Sequence, residues 1–134
     1  GILRIKLREL DSYLNRRREA ASYYDKAFEN IESIKTPVRS KESRHVFHQY
    51  TLTLEGIDRD ELHYFLAEKD IPSMIYYPIP AHRQKMFASF GSGNTELPLT
   101  DWLTERVISL PMHTELEEEQ LRHITQTVKK FVQK

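Results

Sequence analysis

Ile71-Pro72-Ser73-Met74-Ile75-Tyr76-Tyr77-Pro78-Ile79-Pro80-Ala81-His82 places three prolines, two adjacent tyrosines and a histidine in one short run. Pro72, Pro78 and Pro80 fix φ, and the residue ahead of each is pushed out of the α region. The segment therefore reads as extended and stiff, with Met74 and Ile75 as a short buried strand and Tyr76, Tyr77 and His82 on its exit. A rigid backbone carrying polar aromatic groups aims side chains at a ligand. The same residues also suit an edge strand whose tyrosines pack in the core with their hydroxyls at the surface. Residue types alone leave both readings open.

Upstream of this segment, Asp58 stands where an N-cap belongs and Glu61 follows at capping-box spacing. Leu62, Phe65 and Leu66 then form the buried face of a short helix ending near Asp70. Before Gly56 the period is two. Val46, His48, Tyr50, Leu52 and Leu54 point one way, and Phe47, Gln49, Thr51, Thr53 and Glu55 the other, which predicts a strand of about ten residues. Val38 to Arg44 is a polar loop. Ahead of Thr36-Pro37, the residues Leu3, Leu7, Leu10, Leu14, Ala21, Tyr24, Phe28 and Ile31 recur at steps of three and four, with Arg17 filling the gap. They predict one helix of about eight turns. That helix is longer than a core of this size covers, so its first half is expected to pack on something outside the chain. A coiled-coil seam is the alternative, but it breaks at Arg17-Arg18.

Downstream, Arg83 to Ser89 suits a helical turn or two with Met86 and Phe87 inward. Phe90 to Thr95 is a glycine-containing loop without the residues of a phosphate cradle. Leu99 to Glu105 reads as a short helix. Val107 to Leu110 is an apolar strand stopped by Pro111. Thr114 and Glu117 repeat the capping-box spacing ahead of a last helix striped by Leu116, Leu121, Ile124, Val128, Phe131 and Val132. The glutamates at 115 and 117–119 suit the N-terminal end of that helix, and Lys129, Lys130 and Lys134 its C-terminal end. Elements in this order predict an α/β layer: a small sheet of about three strands, mainly antiparallel, covered by helices.

Composition narrows the function. Lys+Arg and Asp+Glu are both 20, so the formal charge is zero and the basic excess of a nucleic-acid binder is missing. Cysteine is absent, which removes disulfides and cysteine-based metal sites or nucleophiles and is compatible with a reducing cytoplasm. There is no apolar run long enough for a membrane span and no apolar leader at the N-terminus. His45 and His48 alternate across a strand, and His63, His113 and His123 fall in different elements, so no metal-ligand spacing emerges. His48 is expected to be a satisfied, partly buried side chain. No serine or threonine lies in a nucleophile elbow.

Several segments, in order along the chain, resemble the DegT family of pyridoxal-phosphate-dependent nucleotide-sugar aminotransferases. Leu3-Arg4-Ile5-Lys6-Leu7, Leu10-Asp11, Asn15-Arg16-Arg17-Arg18, Ala20 and Tyr23-Tyr24 are similar to the family's interdomain helix. Val46-Phe47-His48-Gln49-Tyr50-Thr51 resembles its first small-domain strand. Arg59-Asp60-Glu61-Leu62, Ile71-Pro72 and Tyr76-Tyr77-Pro78-Ile79-Pro80 with His82 and Gln84 resemble its substrate-facing strand and turn. Ile108-Ser109-Leu110-Pro111-Met112-His113, Thr114-Glu115-Leu116 and Glu118-Glu119-Gln120 match its closing strand and last helix.

The resemblance implies the C-terminal small domain of a fold-type I, aspartate-aminotransferase-like enzyme: an interdomain helix over 1–34 and an α/β domain over 35–134, with the large cofactor domain lacking. The Schiff-base lysine would belong to that large domain, so this chain alone is expected to bind no pyridoxal phosphate and to be inactive. The full-length protein is expected to be a cytoplasmic homodimer. It would move an amino group, usually from glutamate, to a nucleoside-diphosphate keto sugar in polysaccharide or amino-sugar biosynthesis. By the match, Tyr76, Tyr77 and His82 are the substrate-binding residues, and Tyr76 departs from members with histidine there, a departure that bears on sugar preference. No catalytic, cofactor or metal residue is assigned to this chain. The rival from another class is a stand-alone regulatory or interaction module that docks through the long helix; a metal hydrolase is a third.

Overall fold

The computed structural model describes residues 1–91 and 95–133. Ser92, Gly93 and Asn94 of the expected glycine loop, and Lys134, lie outside the described residues. The elements in order are α1 (Ile2–Arg8), α2 (Leu10–Phe28), β1 (Ile34–Lys35), β2 (Tyr50–Leu54), α3 (Arg59–Ala67), two 3-10 turns (Ala81–Arg83 and Lys85–Phe90), α4 (Pro98–Thr104), β3 (Val107–Leu110) and α5 (Glu118–Val132). The three strands form one antiparallel sheet in the order β1-β2-β3, the architecture expected from the sequence.

Alternation along the strands sorts the two faces of the sheet. Tyr50, Leu52 and Leu54 of β2 are buried, as are Ile108 and Leu110 of β3. They join Tyr24 and Phe28 of α2, Leu62 and Leu66 of α3, and Leu121, Ile124 and Val128 of α5 in one core. Each large aliphatic side chain in it contributes about 1.5–3 kcal/mol of burial. Tyr24 and Tyr50 keep their hydroxyls bonded inside it: Tyr24 donates to the Pro111 carbonyl (2.9 Å) and Tyr50 to Asp25 Oδ1 (2.7 Å). Burial pushes both phenols well above their ordinary range. On the opposite face the register partners Thr51 and Ser109 bring their hydroxyls to 2.8 Å. This second face supports the proline segment.

The helix ends follow local chemistry. Asp58 caps α3, its Oδ1 accepting the amides of Asp60 and Glu61, both at 2.9 Å. Pro98 opens α4, where a missing N–H costs nothing. The cap of α5 differs from the expectation: Glu117, not Thr114, is the N-cap, in a reciprocal box with Gln120. Thr114 Oγ1 donates to Glu115 instead.

Four further expectations are corrected. The long helix is interrupted at Glu9, whose amide bonds to Lys6 in a 3-10 step (3.1 Å), and it ends at Phe28 rather than Ile31. No residue of α1 is buried, so only local bonds hold that stretch. The strand expected over 46–55 is halved to Tyr50–Leu54 because side chains of α2 take the backbone groups ahead of it. Arg17 Nη1 donates to the carbonyls of Phe47 (3.1 Å) and His48 (3.2 Å), and Arg18 Nε to that of His45 (3.0 Å). Phe47 turns to φ +47° and enters the core, which leaves Val46 and His48 exposed. The proline segment is not a full strand. Only Met74 pairs, through two backbone bonds to Ser109 (3.0 and 2.8 Å), since proline donates none, and Met74 itself is half exposed. The third strand is instead Ile34–Lys35, paired with Leu54 and Thr53. Finally, Met86 and Phe87 lie on the surface and not inward, carried by the second 3-10 turn.

Candidate functional site

The segment from Ile71 to Pro80 is held at both ends and free between. At its start Ile71 is buried, Ser73 is buried with its hydroxyl 2.7 Å from His63 Nδ1, and Met74 is bonded to β3. At its end Arg83 N–H donates to the Pro80 carbonyl (2.9 Å), closing the first 3-10 turn. Between these ties stand Tyr76 and Tyr77, joined by a cis peptide bond. Their rings meet edge to face at 6.2 Å, and Tyr77 is the more exposed, at 73%.

Both tyrosines line an open pocket of about 450 Å³ on the second face of the sheet. Thr51 and Val107 come from the sheet, Ile79, Pro80, Ala81 and Gln84 from the proline segment and turn, and Thr100, Leu103 and Thr104 from α4. The surroundings are mainly apolar, with two phenols at hand. Such a site fits a ligand with a flat or apolar face and hydroxyl or phosphoryl groups at its rim. A larger open groove, about 790 Å³, runs between the end of α3 and the start of α5, but none of the three expected site residues reaches it.

His82 is placed differently from the tyrosines. It does not line the pocket. Its side chain is only 8% exposed and turns toward α4, where Nε2 lies 3.4 Å from Asp101 Oδ1, within ion-pair distance but outside hydrogen-bond geometry. Asp101 also receives both arms of the neighbouring guanidinium: Arg83 Nε at 3.1 Å and Nη2 at 2.6 Å. Those hydrogen bonds hold the Asp101 carboxyl below the usual carboxylate range. Sequence reasoning did not single out Asp101, Arg83 or Thr51. The pairs join residues on separate elements, and no local spacing announces them.

The lining of the pocket includes no lysine. The described lysines lie outside it, all exposed except the half-buried Lys129 of α5. The residues around Tyr76 and Tyr77 therefore do not fit covalent attachment of pyridoxal phosphate. Among the described residues, no group of three or more His, Asp or Glu side chains could hold a metal ion. No described helix is long and apolar enough to cross a membrane.

A family model described as the DegT/DnrJ/EryC1/StrS aminotransferase family matches residues 1–129. Among similar proteins, a UDP-N-acetyl-3-dehydro-alpha-D-glucosamine 3-aminotransferase of Acidithiobacillus ferrooxidans is 40% identical over 129 residues, 96% of this chain and 34% of its own length. A "Pleiotropic regulatory protein" of Geobacillus stearothermophilus is 38% identical over 98% of this chain and 35% of its own length. The crystal structure of S. venezuelae DesV superimposes with a TM-score of 0.91 at 29% identity, covering 99% of this chain and 35% of that one. The chain thus spans about a third of the length of the proteins it matches.

Proposed function

The chain belongs to the DegT/DnrJ/EryC1/StrS aminotransferase family, and on that premise we propose that it is the C-terminal part of a pyridoxal-phosphate-dependent sugar aminotransferase. The full-length protein transfers an amino group from glutamate to a keto sugar linked to a nucleoside diphosphate. It works as a cytoplasmic homodimer in amino-sugar or cell-surface polysaccharide biosynthesis. The observation that carries this reading is the Tyr76–Tyr77 pair, exposed on a segment fixed at both ends and opening onto an apolar pocket. The name of the Acidithiobacillus relative supports the substrate class.

In this reading the chain's own residues bind and orient. The phenols of Tyr76 and Tyr77 hydrogen-bond the sugar and diphosphate, and the apolar wall of Ile79, Leu103 and Val107 takes the less polar face of the sugar. Pyridoxal phosphate, held by the rest of the full-length protein, supplies the electron sink for the exchange. In this reading α1 and the first half of α2 run toward the rest of the full-length protein, while the second half of α2, through Ala20, Ala21, Tyr24 and Phe28, belongs to the core of the small α/β unit.

The test is turnover by the full-length protein with L-glutamate and a panel of UDP- and dTDP-linked keto sugars, including UDP-N-acetyl-3-dehydro-alpha-D-glucosamine. The expected result is 2-oxoglutarate and an amino sugar in equal amounts, with KM for the sugar raised about 3- to 30-fold in Tyr76→Phe and Tyr77→Phe through a lost hydrogen bond each. The 134-residue chain alone is expected to give no turnover and no visible absorption from covalently held cofactor. A full-length protein that forms no amino sugar from any of the panel overturns the reading.

A second reading has one observation in its favour. Ile2, Leu3, Ile5 and Leu7 of α1 are 64–77% exposed, as a module docking through that helix requires, and one relative is named a regulatory protein. A stable dimer of the isolated chain, dissociated by Leu3→Ser, would favour it.

A further inference from the structure

Tyr76 and Tyr77 owe their position to the two ends of the segment that bears them. One end is fixed by the sheet through Met74 and Ser109. The other end leaves the sheet and is fixed by a charge. Asp101, in the first turn of α4, receives a two-armed bond from Arg83 and faces the buried ring of His82. A two-armed guanidinium–carboxylate pair sets orientation as well as distance. It joins two elements that both line the pocket: the turn through Ala81 and Gln84, and α4 through Thr100, Leu103 and Thr104. Asp101 itself is outside the pocket lining.

We propose that Asp101 is a positioning residue for the sugar site: through Arg83 and His82 it sets the distance between the Ala81–Arg83 turn and α4, and with it the placing of the tyrosines. This rests on the aminotransferase reading above. Asp101 touches no ligand and does no chemistry. Arg83 and Asp101 are 49% and 30% exposed, so the pair adds little to global stability. Its effect falls on pocket geometry.

The experiment uses the full-length protein and the sugar that the wild type turns over best. Asp101→Asn keeps the side-chain volume and removes the charge. It is expected to raise KM for the keto sugar about tenfold while kcat changes less than about twofold, the split of a lost binding geometry. Asp101→Glu is expected to restore most of the loss, because it restores the carboxylate. Hydrogen exchange read by mass spectrometry is expected to be about tenfold faster over residues 75–84 in Asp101→Asn, with β3 and α5 unchanged, as a local release requires. Arg83→Met removes a surface partner without emptying the core and is expected to shift KM in the same direction. Unchanged KM and exchange in both variants overturn the proposal and leave the aminotransferase reading standing. So does a fall in kcat shared with faster exchange throughout the protein while Arg83→Met has no effect. A wild type without aminotransferase activity overturns both.

Discussion

Arg83 and Asp101 are separated by eighteen positions, yet their bond governs how the tyrosine turn meets α4. The hydrogen bond from Arg83 is the leading cause of the lowered Asp101 carboxyl; desolvation opposes it, and the charges of Arg83 and His82 reinforce it. A carboxyl whose folded pKa is depressed stabilises the fold above its ordinary pKa, and the contribution disappears as pH falls through the folded value. The clamp is therefore fully formed at neutral pH and opens only in acid. Titration of the Asp101 carboxyl carbon by NMR should give a midpoint below the ordinary value of about 3.9, and Arg83→Met should bring it back toward that value. A wild-type midpoint at or above the ordinary value would contradict the two-armed geometry. Tyr76 and Tyr77 stood out in the sequence because prolines flank them. The approach of His82 to Asp101 did not, since the acid comes from another element.

Among the elements, α2 has two tasks that a single apolar stripe conceals. Its second half buries Ala20, Ala21, Tyr24 and Phe28. Its first half ties down the loop ahead of β2 through Arg17 and Arg18. Arg17→Met keeps the aliphatic stem and deletes both carbonyl bonds, so a loss of about 1–2 kcal/mol is expected in urea unfolding. A variant within about 0.5 kcal/mol of wild type would mean that burial of Phe47 holds the loop unaided. The same contacts explain where sequence pattern failed. Alternation was legible through Tyr50, Leu52 and Leu54, where a sheet imposes it. It broke at Phe47, where arginines took the backbone carbonyls instead of a neighbouring strand. Ile34–Lys35 has no signature of its own: Ile34 continues the spacing of Ile31, and its pairing with Leu54 is a tertiary event. By contrast α3 was readable because its cap and period lie within the segment, and β3 because its apolar run ends at Pro111; α5 was readable by its period, although its cap is Glu117 rather than Thr114.

At the scale of the molecule, one core joins the sheet to α2, α3 and α5, while α1 stands outside it with no buried residue. Substitutions should separate accordingly. Leu66→Ala is expected to cost about 2–5 kcal/mol in the 134-residue chain, as for a fully buried leucine. Leu7→Ser is expected to stay within about 0.5 kcal/mol there, and to cost more in the full-length protein, where the interdomain role proposed for this helix would cover it. Chemical denaturation of both proteins, run in parallel, checks the pair of outcomes. Equal, small effects of Leu7→Ser in both would remove α1 from any domain contact.

The brevity of β1 and the single Met74 bridge have a bearing on self-association. A sheet recruits foreign strands along unpaired backbone at its two borders, and short border strands and proline suppress such recruitment. Here one border is a strand of two residues. The other is already met by Met74, with Pro72 close behind it. Neither border offers an incoming strand a long ladder to extend, so the domain is built against amyloid-like stacking through its sheet.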